Sequence, residues 1–595
     1  MIHSGVCAWL IAVTCCAVAE EIFPGPDWKD RPNPLASPNA VVGGKLSAFA
    51  GQYPKSFNYY LDQNSFTGLL FGFLYESLLT INPLTAEYEP WLAKKWSISD
   101  DKLTYTFWID EDAKWSDGKP VTAEDVRWTY EAVLDPKNRT GAHKVGLEKL
   151  HPPEVLDSHK LRFTAKEIHW SHIGTIGGMN VLPSHAFRDK DFNKINFEFP
   201  VISGPGRMGE IKEGIFAKVH RRDNWWGWQR ASSRNYFNFE TLVFRFYAER
   251  ENAFEALKKG LIDVYPIYMS RLWVNETKGE KFDKHWIIKQ KVQNYKPAGF
   301  QGFVMNMRRS LFGDKRVRQA MAHLIDREKM NRTLMYSQYF MQRSIWEDLY
   351  DTETPCKNTY YEFSPVKARA LLKEAGWSPN AKTGLLEKDG KPFRFKFLSR
   401  DASAEKFLAI YNEDLKDVGI ELEIDKKDWA AWAKDMDEYN YDMTWASWGA
   451  GLFKNPEPMW ASKEAERPSG FNYAGYKNSR VDELIEKQKT IFSVQERHTI
   501  CREIDAILAD ACPYALLWNI SYVRLLYWNK FGMPSTVLSK FGDESAAYSL
   551  WWFDEDSAAD LEDAMDSASH LPARPPQVSF SAVFRPKVKP GEAAP

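Results

Sequence analysis

Cysteine is scarce: there are six in 595 residues, and three of them, Cys7, Cys15 and Cys16, fall in one short segment near the start. The other three, Cys356, Cys501 and Cys512, allow at most one intramolecular disulfide, so the fold must rest on its core and not on covalent staples. Cys501 falls inside a predicted helix and Cys512 just past its end. At about 1.5 Å of rise per residue they stand too far apart to bond, so any bridge has to include Cys356. An excess of one charge is also missing. Lys and Arg number 78 against 80 Asp and Glu, a net charge of −2; no overall positive field exists to condense on phosphates, and nucleic acid is not an expected partner. Long apolar runs are missing too. The longest, residues 6 to 19 (VCAWLIAVTCCAVA), is too short to cross a bilayer as a helix. The chain has no HExxH, no G-x-S-x-G and no P-loop, so the common local signatures of metalloproteases, serine hydrolases and nucleotide hydrolases do not apply.

Aromatic residues are plentiful. Twenty-four Trp, 26 Tyr and 36 Phe exceed what core filling alone asks for, and such flat amphipathic faces line sites for bulky organic ligands. At roughly 150 residues per domain the length predicts about four structural units. The short apolar run ends Ala17-Val18-Ala19, the small-x-small shape of a secretory signal peptide cleaved before Glu20, although His3 is the only basic group ahead of it. Cys15 and Cys16 leave a lipoprotein as the alternative. Pro24, Pro26, Pro32, Pro34 and Pro38 predict an extended surface lead-in over 20–42. The stretch 554–595 starts acidic and ends Pro-rich, which predicts a disordered tail that a protease removes without consequence for binding.

Between these ends the pattern is α/β. Leu103, Tyr105, Phe107 and Ile109 alternate with Thr104, Thr106 and Trp108, predicting a strand. Thr122 and Asp125 form a capping box for a helix that Asp135-Pro136 stops. Val317, Ala320, Met321, Leu324 and Ile325 mark a half-buried helix after Asp314. Ser364, Pro365 and Gly376 bracket the next helix with proline first and glycine last. A helix over 403–417 feeds a strand at Ile420, Leu422 and Ile424. Ser493 and Glu496 start a late helix, and 513–518 reads as a buried strand after it.

Two motifs invite chemistry. Gly204-Pro205-Gly206-Arg207-Met208-Gly209 matches G-x-G-x-x-G, but no strand precedes it and no helix follows, so a dinucleotide loop is not expected. His169 and His172 have the spacing of helical metal ligands without a Cys or a carboxylate cluster beside them. Packed or solvated histidines are the expectation, with no metal and no cofactor.

Longer blocks carry more information. TyrGluProTrpLeuAlaLysLysTrp (88–96), AspAspLysLeuThrTyrThrPheTrpIle (100–109) and LysTrpSerAspGlyLysProValThrAlaGluAspVal (114–126) resemble the family 5 extracellular solute-binding proteins, which serve ABC importers of peptides and nickel. Blocks at 204–227, 306–321 and 368–377 follow in the family's order, so the resemblance spans roughly 45–550. AsnArgThrLeuMetTyrSerGlnTyr (331–339) and TyrAspMetThrTrp (441–445) look like the Yej-type branch, whose members bind oligopeptides and peptide-nucleotide antibiotics.

The resemblance implies a type II (cluster C) periplasmic binding-protein fold of class α/β, with two lobes joined by a hinge and an extra subdomain. Lobe I would comprise 43–85, 196–296 and 515–553, the extra subdomain 86–195 and lobe II 297–514. It implies a periplasmic, monomeric, non-catalytic protein that captures oligopeptides or peptide-like compounds between its lobes and hands them to an ABC permease in the inner membrane. A nickel-chelate binder of the same family is one alternative, and a secreted glycoside hydrolase with a Trp-rich cleft and two carboxylates is another. The resemblance also places Glu76, Asn306, Trp445 and Trp448 at the ligand, and the missing side chain of Gly449 adds it to them. Oligopeptide binders of the family carry an Asp three residues after the Trp matching Trp445, where it pins the ligand's α-amino group. This chain has Trp448 there, so stacking by Trp445 and Trp448 is expected to replace part of that anchor, beside Gly449 and Gly451, where a ligand backbone could come close. Packing of both Trp in the core is the competing expectation.

Overall fold

The computed structural model describes residues 20–24, 28–62, 64–400 and 404–584; the expected signal peptide at 1–19 lies outside them. Three sheets organise the chain. The first has five strands in the order Glu20–Phe23, Ala93–Ser99, Thr104–Ile109, Lys160–Thr164 and Glu154–Asp157. The capping box forms beside it: the Asp125 carboxylate accepts the Thr122 backbone N–H at 2.9 Å, and helix Ala123–Leu134 ends at Asp135.

The second sheet has eight strands, running from Gln577–Ser579 through Ile287–Gln293, Val523–Trp528, Val264–Pro266, Lys45–Phe49, Thr241–Arg245 and Phe216–Arg221 to Gly206–Lys212. The third has five, in the order Glu421–Lys426, Arg394–Ser399, Met443–Trp448, Phe300–Met305 and Tyr514–Leu516. The chain crosses between these two sheets at 294–299 and again at 517–522. The Asn519 side chain donates to the Gly299 carbonyl at 2.6 Å and ties the two crossings together.

Around the third sheet the helix signals hold. Ser364 caps Pro365–Glu374 and Gly376 follows at φ 91°, while Ser493 caps Val494–Ala511 and Cys512 closes that helix in the left-handed conformation. Cys356, Cys501 and Cys512 are all free thiols.

The glycine motif opens a hairpin, Gly206–Lys212 with Phe216–Arg221. Its first glycine answers to crowding: the N–H groups of Ser203 and Gly204 both bond the Leu74 carbonyl, and a Cβ on Gly204 would stand 2.3 Å from the Phe73 carbonyl oxygen. Because backbone cannot yield as a side-chain tip can, Gly204→Ala should cost about 3 kcal/mol in chemical denaturation; a change below about 0.5 kcal/mol would contradict the close approach.

The C-terminal expectation is overturned up to residue 584. Helix Glu555–Asp566 is N-capped by Asp554, with Glu555 and Asp556 in its first turn, where carboxylates favour helix formation. Leu561 and Ala564 are buried against the core that holds Phe254 and Trp528. Gln577–Ser579 then adds a parallel edge strand to Ile287–Gln293, and Phe580 is buried. The acidic run is thus a capped helix that the i, i+3 pair Leu561 and Ala564 pins down. The lead-in is also anchored: Glu20–Phe23 pairs with Ala93–Ser99, Phe23 stacks on Trp96, and Leu35 is buried.

Candidate functional site

A cleft of about 1900 Å³ opens between the units of the three sheets. Tyr88, Trp91, Lys102 and Trp170 face it from the first, Tyr236, Phe237 and Lys296 from the second, and Glu347, Tyr350, Phe453, Arg497, His498 and Arg502 from the third; Phe23 and Trp28 of the lead-in complete the wall. The first turns of helix Val494–Ala511 carry three of the basic groups. Arg497 is fixed by donating to the carbonyls of Ile491 and Phe492, both at 2.9 Å, and lies 4.1 Å over the Trp170 ring. Burial and the neighbouring Lys454 push His498 down to about 4, so it faces the cleft as a neutral imidazole near pH 7. The fully buried Lys454 pairs with Asp348 at 2.6 Å, and Tyr350 donates to Asp505 at 2.7 Å.

One seam joins the first and third units across the cleft. Glu457 stands at its centre, with Lys463 at 2.5 Å, Lys489 at 3.0 Å, Lys149 at 3.4 Å and His169 at 3.7 Å. The Trp170 indole donates to Gln488 at 2.8 Å, and Tyr88 stacks on Phe453. The histidines that suggested a metal are therefore structural: His169 serves this seam, and His172 bonds the Glu167 carbonyl at 2.9 Å. Among the described residues no group of three His, Cys, Asp or Glu is placed to hold a metal.

The five expected ligand residues are not brought together, and none of them is among the described residues that line the cleft. Glu76 is buried, accepting the indole N–H groups of Trp226 at 2.8 Å and Trp225 at 3.3 Å; burial raises its carboxyl to about 7, with Arg230, the two indole bonds and Arg222 offsetting part of the rise. Asn306 is fully buried and braces a loop, donating to the carbonyls of Tyr439 and Tyr441 at 2.9 and 2.8 Å.

Joint stacking by the two tryptophans is corrected by strand geometry. Trp445 and Trp448 are three apart on Met443–Trp448, so they point to opposite faces of the sheet. Trp445 donates to Gln301 at 3.1 Å and packs edge-on to Phe303, Phe407 and Trp518. Trp448 donates to Tyr514 at 3.3 Å and packs against Phe471 and Tyr473. Gly449 is exposed, with open space where a Cβ would sit; the tight backbone approach belongs to Gly299, whose Cβ would lie 1.9 Å from the Trp448 carbonyl oxygen. The cleft residues that sequence reasoning missed include Trp91 within the 88–96 block and the pair Arg497-His498, which the Ser493 cap already placed in the first turns of a helix.

The family model for bacterial extracellular solute-binding proteins, family 5 Middle, matches residues 87–468. YejA of Escherichia coli is 25% identical over 570 residues, covering 89% of this chain and 92% of its own. Among solved structures, the oligopeptide-binding protein AppA of Bacillus subtilis in complex with a nonapeptide aligns at a TM-score of 0.69 with 22% identity, over 87% of this chain and 100% of that one. NikZ of Campylobacter jejuni in complex with Ni(L-His) aligns at 0.68 with 21% identity, also over 87% and 100%. The shared fold is that of the type II periplasmic binding proteins.

Proposed function

Since the chain belongs to the bacterial extracellular solute-binding proteins of family 5, we propose that it captures oligopeptides or peptide-like compounds in the cleft and delivers them to the permease of an ABC importer. The observation that carries this reading is the size and make-up of the cleft. At about 1900 Å³ it exceeds the ~300–1,000 Å³ usual for small-molecule sites. Its wall joins aromatic rings to groups of both charges, which suits an extended ligand with two termini and varied side chains. Water held in such a cleft lets those side chains differ without leaving polar groups unpaired.

The second-sheet unit serves as lobe I, extended to include 577–584, the third as lobe II and the first as the extra subdomain. The protein acts as a periplasmic monomer without chemistry of its own. Among the described residues no helix is long and apolar enough to cross a membrane.

A thermal-shift screen with a peptide library tests the reading. Stabilisation should grow as RT ln(1 + [L]/Kd), about 2.7 kcal/mol at a hundredfold excess over Kd. A response to a nickel chelate with none to any peptide transfers the protein to metal-chelate uptake. Release of product from a glycan makes it a hydrolase.

Trp448→Ala then separates packing from ligand contact. Lost packing should lower apo stability by about 2 kcal/mol and leave peptide affinity unchanged. An unaltered melting temperature with weakened binding would return Trp448 to the ligand.

A further inference from the structure

Away from the cleft, one face of the eight-stranded sheet gathers positive charge that the fold leaves uncompensated. Lys289 and Lys291 are two apart on Ile287–Gln293 and share a face. Arg524 stands directly opposite Lys291 in the antiparallel register with Val523–Trp528. Like charges in directly opposed positions destabilise a sheet. Burial first, and then the positive charges of Lys291, Lys278 and Arg524, push the Lys289 ammonium below the ordinary lysine range.

Arg524 is the unusual member. It is only 2% exposed. Its Nη1 donates to two neutral acceptors, the Tyr268 carbonyl and the Ser270 hydroxyl, both at 3.3 Å, while its buried Nε and Nη2 have no hydrogen-bond partner. A buried guanidinium without a carboxylate and with idle donors is costly. Ring faces soften the cost without supplying a counter-charge: Tyr339 and Tyr522 lie 5.2 and 5.7 Å from Arg524, Lys291 is 4.8 Å over Tyr522 and Lys289 is 4.6 Å over Trp273. Tyr339 comes from the third-sheet unit and bonds Ser270 at 3.2 Å, so the cluster lies at a contact between two units.

We propose that Lys289, Lys291 and Arg524 form an anion site for a compact oxyanion, phosphate or carboxylate. Such an ion supplies the missing charge and accepts from the free edge of the guanidinium, a geometry that planar oxyanion pairing favours. Because the Arg524 donors are shielded, the ion reaches them as Tyr339 moves aside, which couples occupancy to the contact between the units. None of the three cations lines the cleft, so this inference stands apart from the peptide reading.

The test is a thermal and calorimetric titration of the full chain with inorganic phosphate and, separately, with acetate, each at an ionic strength fixed with chloride. The wild type should bind at least one of them saturably with a rise in melting temperature, and the better anion identifies the source. Lys291→Met and Lys289→Met, both at half-buried positions that tolerate an apolar chain, should each weaken that binding about tenfold or more, the effect of losing one charge-assisted contact. Arg524→Met should abolish it. Phosphate and acetate responses equal to that of chloride, or a response unchanged in both lysine variants, would overturn the proposal.

Discussion

Glu457→Gln should lower stability at pH 7 by about 3 kcal/mol in chemical denaturation, the order found when one partner of a buried ion pair is removed. The loss comes mainly from Lys489, 7% exposed, which faces the 8% exposed Glu457 at 3.0 Å and would be left with the solvent-exposed Glu486 at 2.7 Å. Lys463 at 58% and Lys149 at 30% exposure are solvated enough to add little. The effect carries a pH signature. Burial alone would raise the Glu457 carboxyl, but the nearby His169 ring, hydrogen bonds from Lys463 and Lys489 and the charge of Lys149 outweigh it and hold the group far below the ordinary carboxylate range. A depressed folded pKa means that the stabilisation is complete above the ordinary glutamate value of 4.5 and is lost as pH falls below it. The wild type should therefore lose stability on acidification and the glutamine variant should lack that slope. Because the seam ties the first unit to the third across the cleft, the variant should also hold peptide more weakly, by the factor in which its closed population falls. Stability within about 0.5 kcal/mol of wild type at pH 7, with the same acid slope, would sink the idea.

What the sequence disclosed and what it hid divide by distance along the chain. The Thr122–Asp125 box, the Ser364–Pro365 start with Gly376 beyond its end, and the Ser493 cap are local arrangements. Each needs only a few residues to be right, and each is found as read. The cleft is assembled from partners far apart: Trp170 meets Gln488 across 318 positions, and no pattern in either neighbourhood announces the other. Trp445 and Trp448 are a different case: they lie three apart on one strand, and a period of two sends them to opposite faces, which joint stacking on one ligand does not allow. The tail misled through composition. Its acidic residues read as solvation, while Asp554, Glu555 and Asp556 are a helix start and two small apolar contacts hold the rest. Glu76 lies between, since the apolar setting of LeuTyrGluSerLeu hints at burial, but its indole partners are 149 and 150 positions away.

Those partners make Glu76 the group whose pH response should run opposite to that of Glu457. Its folded carboxyl is raised to about 7 by burial, against an ordinary 4.5, with Arg230, the Trp226 and Trp225 hydrogen bonds and Arg222 offsetting part of the rise. The folded state then holds a proton that the unfolded chain has released, so stability is greatest below about pH 4.5 and falls as pH climbs to about 7, by about 3 kcal/mol in all. A glutamine matches the protonated acid in shape and keeps an oxygen for the two indole N–H donors, but never has to ionise. Glu76→Gln should accordingly match the wild type at pH 4 and exceed it by about 3 kcal/mol at pH 8 in parallel denaturation curves. The opposite sign at pH 8, a variant weaker than wild type, would mean that the ionised carboxylate is the counter-charge Arg230 depends on. Asp110, 3.5 Å from the Arg230 guanidinium, argues against that outcome, because Arg230 keeps one carboxylate whichever way residue 76 is charged.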